Sequence, residues 1–413
     1  MASASAPTIV GLDIGTTKIC CLVGSLDDNQ QVAVRGLGLA PSVGLRKGVI
    51  IDQQGTVEAI RRAADEAARQ AGCALTGAYV YVGVTGDHVD SFTCHAAVRI
   101  EQFDHDILPA DVDRVTALAT AGVQKATRDI LLERPRAFIV DGRRVADPLG
   151  LNGESLEVDL HVVTGERRFL QQVRSCVENA GLPVDSLVLE AVATGEAVLR
   201  PEERELGVVV VDLGGGTTDI AVYHEGQMVH TAAIAVGGAH VTADLSYALG
   251  ATYQTAEDLK LRYGRATPDL CDPDGAIAYT NARGEVAEAE HALLAEVAGP
   301  RLEELFELVG RELRRAGYDL QRLAGGVVLA GGASTLPGVQ LVARQVLGVL
   351  VREAKPRGIV EGAALVADPR FATAVGLVRL GGMDQAARLA RIEDTSLAAR
   401  LRTFWRNITR LFD

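Results

Sequence analysis

Residues 207–223 read GVVVVDLGGGTTDIAVY. Positions 208–211 are an unbroken β-branched run, the pattern of a strand buried on both faces. Asp212 ends that run. Gly214, Gly215 and Gly216 then make a turn in which backbone can approach a ligand closely. Thr217 and Thr218 add hydroxyls, and residues 220–223 read as strand again. The glycines therefore join two strands, unlike a dinucleotide-binding fingerprint, where they open a helix. Successive N–H groups in such a turn form a concavity suited to phosphate oxygens. An ordinary glycine hairpin fits this one stretch equally well.

The same device occurs earlier. Residues 9–23, IVGLDIGTTKICCLV, give a strand, Asp13, a turn through Gly15, Thr16 and Thr17, then Lys18 and a second strand. The spacing of the two stretches is on the order of one domain, roughly 100–200 residues, which predicts two related halves. A third stretch, VVLAGGASTLPG at 327–338, is a buried apolar run ending in Gly331 and Gly332 and leading into a helix.

These three ordered motifs resemble the actin-like ATPase superfamily. The resemblance implies a duplicated, ribonuclease H-like α/β fold whose two hairpins clasp the phosphates of ATP across a cleft, with the third motif against the adenosine. Mg2+ needs carboxylates and water beside phosphates, and the family places acids at Asp13 and Asp212. Lys18 reaches a phosphate or stays a hairpin charge in water. Thr16, Thr17, Thr217 and Thr218 can donate to phosphate oxygens, and Asp219 is a turn cap or a ligand. Glu257 and Lys260, three apart on a helix, share one face; they are a solvated ion pair or, by the resemblance, ribose and base contacts. Gly331, Gly332 and Ser334 border the adenosine. Hydrolysis needs a group that orients water on the γ-phosphate, and Glu190 resembles the glutamate that bacterial actins use there.

Composition agrees with this class. The 413 residues suffice for at least two domains. Hydrophobic residues make up 48% and aromatics only 4%, so the core is Val, Leu and Ala. A net charge of −13 speaks against general nucleic-acid binding. Six cysteines without C-x-x-C spacing read as buried thiols in a reducing cytosol. MASASAP at the start carries no signal-peptide pattern.

Along the chain, residues 1–7 read as disordered, 54–71 as a helix with one solvated face, and 79–85 as a strand. Residues 89–164 form a distinct block of strands at 91–100, 137–140 and 156–163 with a helix beginning near Pro109. Its string DPLGLNGESLEVDLHVVT, 147–164, resembles the FtsA branch of the superfamily, which carries a differently placed subdomain, 1C. The division that follows has 8–88 and 165–204, completed by about 360–382, as the first half (1A). Residues 89–164 are 1C, 205–236 and 318–359 the second half (2A), and 237–317 its smaller lobe (2B). Residues 269–284 read as turn-rich, and 292–316 as a long helix broken or begun near Gly299-Pro300. Residues 383–395 read as a polar linker.

Residues 396–413 carry a separate signal. Leu397, Leu401, Phe404, Trp405, Ile408, Leu411 and Phe412 recur at helical spacing, flanked by Arg400, Arg402, Arg406 and Arg410. An aromatic-faced basic helix on an acidic protein predicts an interfacial membrane anchor, against the alternative of a last helix packed on the core. The resemblance implies a weak ATPase at most: an ATP-binding protein that self-associates head-to-tail. It would hold FtsZ filaments at the inner face of the cytoplasmic membrane at the division site through anionic lipids. The FtsZ C-terminal peptide would dock on 2B, where Arg301 and Glu304 match the family pattern; a solvated helix face is the other reading. A small-molecule kinase of the superfamily and a pilus-assembly-type scaffold are the rival functions.

Overall fold

The computed structural model describes residues 6–46, 48–123 and 127–409, with side chains through residue 390. The first half opens with β1 (Ile9–Ile14), β2 (Lys18–Leu26) and β3 (Val32–Pro41), then the short β4 (Leu45–Arg46) and β5 (Val49–Ile50). Helix α1 (Gln53–Ala71) and β6 (Tyr79–Val84) follow. The Asp52 side chain caps α1 by accepting from Gly55 N, and Gly72 ends it in the left-handed region at φ 64°.

The inserted block comprises β7 (Val89–Arg99), α2 (Pro109–Thr120), β8 (Arg128–Val140), β9 (Arg143–Val145) and β10 (Ser155–Glu166). The chain re-enters the first half with α3 (Arg167–Asn179), β11 (Val184–Leu189) and α4 (Glu190–Val198). It crosses through α5 (Pro201–Leu206) to β12 (Val208–Leu213), β13 (Thr218–His224) and β14 (Gln227–Ile234). The smaller lobe holds α6 (Gly238–Leu249), α7 (Tyr253–Tyr263), β15 (Ala276–Thr280), β16 (Val286–Glu290) and α8 (His291–Arg315). Then come β17 (Val327–Ala330), α9 (Val339–Leu347), β18 (Val351–Glu353), β19 (Ile359–Glu361) and α10 (Ala372–Thr409).

The two large sheets share one plan. In the first, β3, β2 and β1 form an antiparallel meander, β6 and β11 add in parallel beyond β1, and β19 joins the outer edge of β3. In the second, β14, β13 and β12 repeat the meander and β17 and β18 add in parallel. Each half is thus built around one glycine hairpin, with Asp13 facing Cys20 across the first and Asp212 facing Asp219 across the second. The inserted block is a separate antiparallel sheet in the order β7-β10-β8-β9, covered by α2.

Helices α4 and α10 lie between the two sheets. One apolar core runs from Ile9 and Leu22 of the first half through Ala193, Val375 and Leu377 to Val208, Val210 and Val328 of the second. Gly376 makes this possible: a Cβ there would stand 1.7 Å from Ala193 O, so only glycine lets α10 lie on α4.

Three expectations differ from what is observed. The region 269–284 is not only turns: β15 pairs with β16 in an antiparallel hairpin. Pro300 does not break α8, which runs through it. Leu294, Ala298, Leu302, Leu305 and Phe306 bury one continuous face, and that packing outweighs the lost hydrogen bond, a cost of about 3 kcal/mol. Residues 383–395 are not a break in structure either, because α10 is helical from Ala372 to Thr409. Gln385 Nε2 donates to Tyr81 OH, which donates to Asp384 Oδ2, pinning this stretch to β6. Residues 1–5 of the expected disordered start lie outside the described residues.

Candidate nucleotide site

The turns at the ends of β1 and β12 meet each other. A Cβ on Gly215 would stand 2.6 Å from Thr17 Cγ2, and one on Gly216 would stand 2.5 Å from Thr16 Oγ1. Two hairpins far apart in sequence thus face one another, the glycines of the second packed against the Thr16 and Thr17 side chains of the first. Gly214 N donates to Thr217 O, closing the second turn as Gly15 N to Lys18 O closes the first. Thr218 Oγ1 donates to Val236 O and is turned away from the facing turn, a use its sequence position did not indicate.

Behind the turns, four carboxylates converge in buried surroundings. Asp13, Glu190, Asp212 and Asp219 are all buried. Burial, then Asp13, Asp219 and Asp212, push the Glu190 carboxyl well above the usual carboxylate range. Asp219 is pushed up to about 7 by burial; hydrogen bonds from Thr85 and Thr217 pull it down, while Asp212 and Asp13 push it further up. Asp212 is raised by burial and by Asp13, against the hydrogen bonds from Thr194 and Thr373. Burial would pull Lys18 down, but Asp13, Cys20 and Asp212 hold its ammonium above the ordinary lysine range. Lys18 Nζ lies 3.2 Å from Asp13 Oδ2 and 5.7 Å from the centre of the Phe371 ring. Asp13 and Asp212 therefore sense one another, with one lysine among four acids.

That excess of buried negative charge suits a divalent cation. Among the described residues no three His, Cys, Asp or Glu side chains form a metal cage. Two carboxylates with water and phosphate oxygens are what Mg2+ takes in such sites, so the donor set fits.

Neighbouring elements fix these groups. Thr194 Oγ1 of α4 and Thr373 Oγ1 of α10 donate to Asp212 Oδ2 at 2.5 and 3.1 Å. Thr85, just past β6, donates to Asp219 Oδ1. Glu190 is the first residue of α4, directly after β11, and it lies over Gly83.

On the second half, Lys260 Nζ donates to Glu257 Oε2 at 2.7 Å, to Thr242 Oγ1 at 2.7 Å and to Gly238 O at 3.2 Å. Glu257 and Lys260 are thus tied to the start of α6, beside the second turn, and are not a solvated pair. Gly331, at φ 85°, packs on Asp212 and Leu213 with no room for a Cβ. Gly332 has open space beside it, its nearest neighbour being Arg370 Cβ at 3.9 Å. Ser334 is buried and donates to Gly331 O.

Arg301 is not a free cation. Its Nε donates to Asp244 Oδ2 at 2.6 Å, and it also pairs with Glu304 one helical turn on. Leu397, Arg400, Leu401, Phe404, Trp405, Arg406 and Ile408 lie on the helical backbone of α10 but beyond the described side chains, and Leu411 and Phe412 lie outside the described residues. Among the described residues no helix is long and apolar enough to cross a membrane.

Thr85, Thr194 and Thr373 escaped the sequence reading. They are single hydroxyls in apolar or helical surroundings, and only their distance to a carboxylate in the other half marks them. Asp219 carried a signal, its place at the end of the glycine turn, and burial resolves the ambiguity against a mere solvent-facing cap.

A sequence model of the family described as "Cell division protein FtsA" matches residues 209–376. A second, "SHS2 domain inserted in FTSA", matches 86–164. The chain is 40% identical over 384 residues to the cell division protein FtsA of Pseudomonas aeruginosa, covering 92% of this chain and 91% of that one. The chain belongs to the FtsA family.

The FtsA of Bacillus subtilis is 35% identical over 95% of this chain and 86% of its own. That of Escherichia coli K12 is 33% identical over 90% of each. Among solved structures, a PilM-PilN type IV pilus biogenesis complex superposes with a TM-score of 0.65 at 17% identity, over 91% of this chain and 98% of that one. MreB5 of Spiroplasma citri bound to ADP superposes with 0.53 at 14% identity, over 90% and 94%. These neighbours establish the actin-like fold, and the block at 86–164 is the inserted SHS2 domain.

Proposed function

We propose that this FtsA-family chain binds MgATP between its two hairpins, self-associates, and tethers FtsZ filaments to the inner face of the cytoplasmic membrane. The observation that carries the reading is the facing pair of glycine turns backed by four buried carboxylates. The turns supply backbone N–H groups and threonine hydroxyls for phosphate oxygens. The turns touch in this conformation, so a triphosphate enters by parting them, and the two halves become coupled to occupancy. Asp13 and Asp212 would hold hydrated Mg2+, which neutralises phosphate charge. Thr242, Glu257 and Lys260 border the nucleoside side, with the open flank of Gly332 opposite. Glu190 is poised to orient water, with hydrolysis weak at most.

Residues 396–412 supply the membrane contact through an aromatic and leucine stripe flanked by arginines, a composition suited to anionic lipid surfaces. The FtsZ C-terminal peptide docks on the smaller lobe near Arg301 and Glu304. Flotation of the full chain with anionic vesicles and ATP, together with capture of an FtsZ tail peptide, tests the whole reading. Co-flotation of chain and peptide is the expected result. A chain that stays in the soluble fraction under these conditions, or that does not retain ATP, defeats it.

A further inference from the structure

His88 lies between β6 and the inserted sheet, and both of its ring nitrogens are buried without a hydrogen-bond partner. Its surroundings hold it firmly. The ring packs on Phe169 at 5.1 Å between centroids, and its carbonyl accepts from Glu166 N at 3.1 Å and Arg128 Nη2 at 3.0 Å. A buried imidazole with neither nitrogen used has its desolvation uncompensated, and native structures rarely leave such a group without a partner.

The ring borders a cavity of about 10 Å³ whose wall includes Ile14, Gly83, Thr85, His88, Val173 and Glu190. That is the room one water molecule needs, roughly 10–15 Å³, and a buried water needs two to four polar partners. Three of the lining residues carry polar groups, His88, Glu190 and Thr85, the last with its hydroxyl proton committed to Asp219.

We propose that this cavity holds one ordered water that joins His88 to Glu190, making His88 a positioning residue for the Glu190 carboxyl group. The water donates to the bare nitrogen of His88 and exchanges a hydrogen bond with Glu190. The hydroxyl of Thr85 offers it a third contact. The link runs from the root of the inserted subdomain to the carboxyl group behind the facing turns. Burial holds the imidazole below its ordinary range, so at neutral pH it offers one donor and one acceptor. The consequence for turnover rests on the role proposed above for Glu190; the water itself does not.

Two measurements test it. A crystal structure of the full chain, at a resolution that orders buried water, should show one solvent peak within hydrogen-bonding distance of a His88 nitrogen and the Glu190 carboxyl group. A dry cavity, or both nitrogens bonded to protein, overturns the proposal whether or not the chain hydrolyses ATP. His88→Phe keeps the ring volume and removes the nitrogens; it should lower kcat for ATP about tenfold with KM and ATP affinity unchanged, and His88→Gln should recover most of the loss. Wild-type turnover in His88→Phe overturns the positioning role. A chain that binds ATP without turnover, yet shows the water, retains the proposal and refutes only the hydrolytic role of Glu190.

Discussion

Thr373, the second residue of α10, donates a hydrogen bond of 3.1 Å to Asp212 of the opposite half. The same carboxylate oxygen takes a 2.5 Å bond from Thr194 of α4, and the two hydroxyls lie 2.9 Å apart. A carboxylate proposed as a cation ligand is thereby aimed by helices from the other half. α10, the helix that carries one of these hydroxyls, is the same one that continues to Thr409.

Removing these donors should weaken metal-dependent binding. A hydrogen bond to a charged group contributes about 1.5–3 kcal/mol. Thr194→Val and Thr373→Val should therefore each lower MgATP affinity roughly tenfold or more, with a much smaller effect on ATP in EDTA. Calorimetric titrations with and without Mg2+ separate the two. An equal loss in both conditions would mean that the threonines serve packing alone.

The facing turns predict a steric effect. Gly216→Ala places a methyl group 2.5 Å from Thr16 Oγ1, so the hairpins must move apart. Overpacking of this kind costs about 1–3 kcal/mol. The methyl group also stands where phosphate oxygens must approach the turn's N–H groups, so affinity for a fluorescent ATP analogue should fall by tenfold or more while the fold persists by circular dichroism. Wild-type affinity in this variant would show that the turns do not grip phosphate.

A pH dependence follows from the seam between the inserted sheet and the second half. His161 Nε2 lies 3.2 Å from Thr231 Oγ1, and burial, then His230 and Arg136, push its pKa down to about 4. The unfolded chain has the ordinary value near 6.5, so between pH 6.5 and 4 it binds a proton that the folded chain refuses. The contribution to stability is complete above about pH 6.5 and is lost as pH falls towards 4. It amounts to about 3 kcal/mol at 1.36 kcal/mol per pKa unit. Thermal melts from pH 7.5 to 4.5 should show a steeper decline for the wild type than for His161→Gln. Parallel declines would assign the acid sensitivity to other groups.

The stretch at 396–412 predicts reversible binding to anionic vesicles. Leu401→Glu or Trp405→Glu should abolish flotation without lowering the melting temperature of the core. Arg400→Ala with Arg406→Ala should weaken it roughly thirtyfold, at about 1 kcal/mol per arginine near an anionic surface, and high salt should do the same. Flotation of Trp405→Glu at the wild-type level would remove the stripe from the interface.

Arg301 offers a test on the smaller lobe. Because it is half-buried and already paired with Asp244, Arg301→Glu both repels an acidic peptide and strands a carboxylate. FtsZ-tail-peptide binding should fall at least tenfold, and wild-type binding should weaken with salt. Stability should change by about 1 kcal/mol or less, the range of exposed pairs. Peptide affinity unaffected by Arg301→Glu would move the docking surface elsewhere.

Much of the architecture was legible beforehand because its signals are local. Four consecutive valines, 208–211, can be little else than a strand buried on both faces, and glycines after an aspartate can turn it back on itself. The repeat of that device at 9–23 announced two halves. The string at 147–164 marked the inserted block. The hairpin of β15 and β16 escaped notice because its alternation is carried by alanines among acids, a weak pattern. Pro300 looked like a helix boundary because the buried face that holds α8 together on both sides of it is a property of packing.

What the sequence alone determined is the pair of hairpins, the acid at the end of each, and the basic aromatic stripe near the end of the chain, since each depends on residues within a few positions of one another. The tertiary structure decided which groups converge: Thr194 and Thr373 on Asp212, Thr85 on Asp219, Glu190 among three aspartates, and His88 beside a water-sized space. Those partners stand between 18 and 161 residues apart where they are hydrogen-bonded. No local propensity encodes such contacts; they arise when α4 and α10 are packed between two twisted sheets and bring distant hydroxyls within reach of buried carboxylates.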